Sequence, residues 1–136
     1  MISITEITAE ETYDLRQRVM WPDRPLSYIQ LKDDKTGIHY GLWENDRLLS
    51  VISLFIHGEE AQFRKFATEK SEQGKGYGTR LLSHLMEEVS RKHLTRIWCN
   101  ARADKTGFYR KFGMQETPTT FQKGGIAYRI MERRMS

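Results

Sequence analysis

The chain has one cysteine among its 136 residues, Cys99. No internal disulfide can form, and a reducing cytoplasm is the simplest home for such a chain. One cysteine cannot supply a structural zinc site, and His39, His57, His84 and His93 show no metal-ligand spacing, so no metal is expected. No apolar run approaches the roughly 20 residues of a membrane span, and Met1–Glu6 lacks the basic and apolar regions of a signal peptide. No membrane association is expected. A G-x-S-x-G serine-hydrolase motif is also missing, as are linkers, repeats and low-complexity tracts. The excess of basic over acidic residues is small, a net charge of +4. It would steer a polyanion, but no basic helix or aromatic–basic alternation accompanies it, so nucleic acid is not an expected partner.

What remains is the composition of an ordinary globular protein of one domain, residues 1–136, long enough for a single core. Ile2–Ile7 alternates apolar and polar residues as a half-buried strand does. Thr8-Ala9-Glu10-Glu11 is a capping-box pattern that starts a helix with Tyr13, Leu15 and Val19 inward, and Trp21-Pro22 ends it. The stretch 22–37 has no sustained period and reads as a loop with one short helix near Leu26–Leu31. Strands are predicted over 38–43, 48–56 and 60–68, and the first two are joined by a tight turn at Glu44–Arg47. A helix over 77–91 places Leu81, Leu82, Leu85 and Val89 on one face. A short strand over 96–99, a helix over 106–112 stopped by Gly113, and strands over 114–117 and 126–131 complete the set. A loop containing Pro118, Gly124 and Gly125 links the last two strands. The fold class is mixed α/β.

The most informative segment is Gln73-Gly74-Lys75-Gly76-Tyr77-Gly78-Thr79, a glycine-rich turn between a strand and a helix. The first N–H groups of a helix have no internal partners, the helix dipole is positive at that end, and glycine lets a ligand approach the backbone closely. With Lys75 and Arg80 nearby, the segment reads as a site for a pyrophosphate or similar anion. It is not a Walker A loop, since Gly74-Lys75 is followed by Gly76 and position 69 is Glu. Nor is it a dinucleotide fingerprint, since the last required glycine falls on Thr79 or Leu81.

The remaining pattern, Gln73-x-x-Gly76-x-Gly78, resembles the pyrophosphate loop of the GNAT superfamily of acyl-CoA-dependent N-acyltransferases. Upstream, Phe63–Thr68 is similar to that family's fourth strand. Downstream, Phe108-Tyr109-Arg110-Lys111-Phe112-Gly113-Met114 is similar to its F-Y-x-x-x-G-F element. Ala101-Arg102-Ala103 and the late Gly124-Gly125-Ile126 turn resemble the small ElaA-like branch. The resemblance implies a central, mostly antiparallel mixed sheet flanked by helices and splayed between strands four and five. It also implies acetyl-CoA as the acyl donor. The backbone at Phe66, Ala67 and Thr68 would pair with the pantetheine arm. Gln73, Gly74, Lys75, Gly76, Tyr77, Gly78 and Thr79 would hold the pyrophosphate, chiefly through main-chain donors. Tyr109 would protonate the leaving thiolate.

Two positions depart from the family pattern. A glutamate base is common on the fourth strand, but Gln62 falls near that place, and Glu60 is the nearest candidate. Adjacent acids such as Glu59 and Glu60 after His57-Gly58 are more often a solvated turn, and water-mediated deprotonation by another group is equally acceptable. Arg102 stands where many relatives have Asn; it could bind the CoA arm or an acidic substrate group, or lie on the surface. Cys99, at the end of an apolar strand, reads as a structural residue rather than a nucleophile. The expected activity is direct transfer of acetyl to a primary amine, entering over Trp21–Gly37 and the C-terminal hairpin. Trp21, Tyr28 and Tyr128 would line that side or serve as packing aromatics. A small molecule, a lysine or a peptide N-terminus would serve as acceptor, and a homodimer is compatible with the sequence. The rival expectation is a non-catalytic CoA-binding or interaction module on the same fold.

Overall fold

The structure, a computed structural model, describes residues 1–135. Its strands are β1 (Ile2–Ile7), β2 (Ile38–Glu44), β3 (Arg47–His57), β4 (Glu60–Thr68), β5 (Arg96–Arg102), β6 (Gln115–Lys123) and β7 (Ile126–Arg134). Its α-helices are α1 (Ala9–Leu15), α2 (Leu26–Ile29), α3 (Tyr77–Arg91) and α4 (Thr106–Arg110). The strands form one seven-stranded sheet in the order β1-β2-β3-β4-β5-β7-β6. The β1–β2, β2–β3, β5–β7 and β6–β7 ladders are antiparallel, while β4–β5 is parallel. The parallel ladder runs through Glu60↔Arg96, Ala61↔Ile97 and Gln62↔Trp98, the first residues of both strands. This is the mixed α/β fold anticipated from the sequence.

The chain divides into two compact units: Met1–Phe55 with Phe63–Glu88, and Ile56–Gln62 with the chain from Val89 onward. In the first, Thr8 closes the capping box. Its hydroxyl accepts from the Glu11 N–H (3.2 Å), while its own N–H donates to the Glu11 carboxylate (2.9 Å). After Leu15 the helix widens into a π-helical turn, Arg16–Met20. Leu15, Val51 and Ala67 form a buried cluster, with Ile7, Val19, Met20 and Leu48 packed around it. β3 is buried without alternation from Leu49 to Phe55, as expected of a strand covered on both faces. α3 turns Leu81, Leu82 and Leu85 inward to full burial.

In the second unit, β5 and β7 pair along their whole length, from Arg96↔Arg134 to Arg102↔Tyr128. Both strands are longer than the sequence pattern predicts, because this cross-strand pairing continues past the last apolar residues. Ile97, Cys99, Ala101, Met114 and Met131 are buried here. The segment around Pro118, expected as loop, lies inside β6. Proline is tolerated there because β6 is an edge strand and its register shifts between Glu116 and Thr120.

Candidate functional site

Within β4, Lys65 has φ of +54°, the left-handed region. A non-glycine residue rarely takes that conformation inside a strand, and it breaks the regular extended geometry at that point. The next residues, Phe66 to Thr68, are those expected to bind the donor arm. Ala67 turns its methyl into the Leu15–Val51 cluster, so its function on the surface falls to the backbone. The Ala67 carbonyl accepts from the Ser50 hydroxyl (3.2 Å), and the Thr68 carbonyl accepts from the Gln73 side-chain amide (2.9 Å). Gln73 thus pins the glycine loop to the end of β4. Arg18 adds a second tie, forking onto both oxygens of Glu69 at 2.9 and 2.8 Å.

The loop itself is exposed. Gly74 and Gly76 have φ of +81° and +86°, and a side chain built on either would meet nothing within 4 Å. These glycines serve conformation, not close packing, and the backbone faces open space. The first α3 hydrogen bond in this turn runs from the Arg80 N–H to the Gly76 carbonyl (3.0 Å). The N–H groups of Tyr77, Gly78 and Thr79 therefore lie ahead of the helical ladder. Gly78 plays a different part. A Cβ there would lie 3.3 Å from the Phe66 ring and 3.3 Å from the Thr68 hydroxyl, so its bareness seats the first turn of α3 on β4. Among the charged groups, Lys75 is paired with the buried Glu72 at 2.9 Å, which offsets the charge it brings to the loop. Arg80 is exposed, and the Tyr77 hydroxyl donates to Glu44 (3.4 Å). The donors that remain belong mostly to the main chain. An extended anion such as the pyrophosphate of CoA fits this set.

Tyr109 lies on α4 in the second unit, where Phe108 stands edge-on to it at 5.2 Å and tilted against Phe112 at 5.3 Å. Burial pushes the Tyr109 phenol above its ordinary pKa of 10.0; the Cys99 thiol adds to this and Arg102 partly opposes it. Burial likewise pushes Cys99 up to about 12, leaving a protonated, unreactive thiol at neutral pH. Arg102, at the end of β5, is thus brought electrostatically to Tyr109. Glu60 accepts from Arg96 (3.1 Å), which also holds Glu132 (2.6 Å), so acting as a base would require Glu60 to leave that pair. Trp21 and Tyr28 pack edge-on at 5.1 Å, and Tyr128 stacks on Phe121 at 5.2 Å.

One polar cluster has no signature in the sequence. Arg16 is 0% exposed and grips both oxygens of Asp34 at 2.8 and 2.9 Å, with further bonds to the Ile29 carbonyl and the Ser53 hydroxyl. His39 joins through Ser53 (2.7 Å) and the Asp34 carbonyl (2.9 Å). The Arg16 Nε, also buried, has no hydrogen-bond partner among the described residues. Burial alone would raise the Asp34 pKa. The Arg16 hydrogen bonds, the Leu31 N–H and the charges of Arg16 and His39 outweigh it and hold the carboxyl below its usual value.

Comparison with known proteins agrees with this geometry. The chain is 26% identical to the uncharacterized N-acetyltransferase YitI of Bacillus subtilis (strain 168), over 96% of this chain and 94% of that one. A crystal structure of a putative N-acetyltransferase from Lactobacillus plantarum superposes with a TM-score of 0.86 at 20% identity, covering 98% of this chain and 97% of the other. That of Escherichia coli ElaA gives 0.82 at 19% identity, over 98% and 99%. A model of the acetyltransferase (GNAT) family matches residues 2–114. The chain belongs to the acetyltransferase (GNAT) family and is an acetyl-CoA-dependent acetyltransferase.

Proposed function

We propose that this enzyme transfers an acetyl group from acetyl-CoA directly to a primary amine, its two units acting as one cytoplasmic acetyltransferase domain. The observation that carries the proposal is the loop of Gln73–Thr79, with two exposed left-handed glycines and helix N–H groups that lie ahead of the helical ladder. The family match supports a single domain because it runs through both units. The lone, buried Cys99 supports both a reducing home and transfer without a covalent enzyme intermediate.

The bound donor would supply an acetyl group activated as a thioester. The main chain of Gly74–Thr79 would hold its pyrophosphate, and the backbone of Phe66–Thr68 its pantetheine arm, with Gln73 and Arg18 keeping those two segments in register. Tyr109 keeps its proton well past neutral pH and so is suited to protonate a leaving thiolate. Arg102 would steady the negative charge on that side. The acceptor ammonium must lose a proton, either to Glu60 once parted from Arg96 or to solvent through water. The engagement of Glu60 by Arg96 is the one observation favouring the second reading, donor binding without catalysis.

A thiol-release assay with acetyl-CoA and a panel of amines separates the two. Amine-dependent CoA release that falls in Tyr109→Phe supports the enzyme. Donor binding without release for any amine supports the module.

A further inference from the structure

Arg64 lies on β4 immediately before the left-handed Lys65. It is half-buried, and among the described residues no acceptor comes within hydrogen-bonding or ion-pair distance of its guanidinium. The charged groups that act on it from around are Arg16, Asp33 and Asp34. Asp34 has both oxygens engaged by Arg16, and Asp33 is exposed to water, which screens it. A half-buried cation therefore stands beside a fully buried one without a direct counter-ion. Charges in such positions are normally paired, because desolvation without a partner is costly. Arginine does not escape by losing its proton. The site thus asks for an anion.

Its position says which molecule should bring that anion. Arg16 follows α1, and Asp33 and Asp34 lie in the stretch between Trp21 and Gly37. On the same strand, Ala67 packs against Leu15 of α1. The left-handed Lys65 breaks the alternation between Arg64 and Ala67, and the charges of Arg16, Asp33 and Asp34 act on Arg64, so Arg64 shares the α1 side of β4, two residues before the backbone assigned to the donor arm. We propose that Arg64 anchors the acceptor by its carboxylate, so that the acceptor is an amine bearing a carboxylate, such as an amino acid or short peptide. The fork of a guanidinium matches the two oxygens of a carboxylate. A carboxylate carries the single charge that one guanidinium balances, whereas a phosphate dianion would leave one charge unmatched. The proposal rests on the acetyltransferase reading and names the substrate class of its acceptor side.

The test compares N-acetylated amino acids with their carboxamides and with N-acetylaminoalkyl phosphonates, as product mimics, for binding to the CoA-saturated protein. The parent amines are compared by kcat/KM. The carboxylates should lead by on the order of 10- to 100-fold, as when a charge-assisted contact is lost. Arg64→Gln should reduce that lead to within about twofold, chiefly through KM, and Arg64→Lys should keep part of it. Acetyl-CoA affinity should persist in both variants. Removing an unpaired, half-buried cation beside Arg16 should also raise Tm, whereas a merely structural arginine would lower it. Equal or undetectable affinity across the panel, preference for phosphonates, or a carboxylate preference that survives Arg64→Gln overturns the proposal. Failure to bind acetyl-CoA would count against the acetyltransferase reading instead, while the product-mimic arm, repeated without CoA, still decides the role of Arg64.

Discussion

Phe108 meets the Tyr109 ring edge-on, and burial chiefly holds the phenol's proton beyond the ordinary pKa of 10.0. If the phenol is the general acid, Tyr109→Phe should lower kcat by roughly 100-fold, with acetyl-CoA affinity unchanged by calorimetry. Because the active form is the protonated one and its pKa is raised, kcat should show no decline attributable to this group up to about pH 10. A limb near pH 9 that vanishes in the Phe variant would contradict this. Asp34 makes a different prediction. Its folded pKa lies below the unfolded value of 3.8, so its stabilisation is fully present above that value and is lost as pH falls through the folded pKa. Asp34→Ala should cost about 3–5 kcal/mol, read by urea unfolding at neutral pH, because it strands the buried Arg16. In Asp34→Ala together with Arg16→Met, the loss should shrink and the acid-side decline should flatten. The sequence did not reveal this pair. An arginine on an amphipathic helix ordinarily reads as a solvated charge, and its partner lies 18 residues away in an aperiodic stretch. Tyr109 is singled out because it belongs to a contiguous motif.

Elements whose signals are local were read well. The capping box formed as expected, and α3 spans Tyr77–Arg91 as predicted, because a glycine start and an apolar face of helical period both lie within it. Elements completed by a distant partner were read short. β5 runs on to Arg102 because Tyr128 pairs with it, and β6 passes Pro118 because an edge strand with a shifted register tolerates it. In the glycine loop the pattern located the turn but not the division of labour. Gly76→Ala should cost about 1–2 kcal/mol of stability, read by denaturant unfolding, through its left-handed φ. Gly78→Val should act by contact with Phe66 and Thr68, lifting the first turn of α3 from β4. A loss of about 1–3 kcal/mol is expected from overpacking, with weaker acetyl-CoA binding. Lys75→Ala should change binding only modestly, since Glu72 already engages that ammonium.

For the whole molecule, three independent features meet in one account: a family match over residues 2–114, a sheet whose β4–β5 ladder is parallel, and an anion-ready loop that opens α3. Fold and donor were legible from the sequence because glycine spacing and flanking motifs carry them. The buried polar cluster was not, because Arg16, Asp34 and Ser53 come together only when the fold joins separate stretches. Among the described residues no helix is long and apolar enough to cross a membrane. Donor binding at the Gln73–Thr79 loop is what the proposed chemistry requires first. Calorimetric titration with acetyl-CoA, with CoA and ATP as controls, should give saturable binding that favours acetyl-CoA in the wild type and disappears in folded Gly76→Glu. No binding by folded wild-type protein, or undiminished binding by Gly76→Glu, would contradict it.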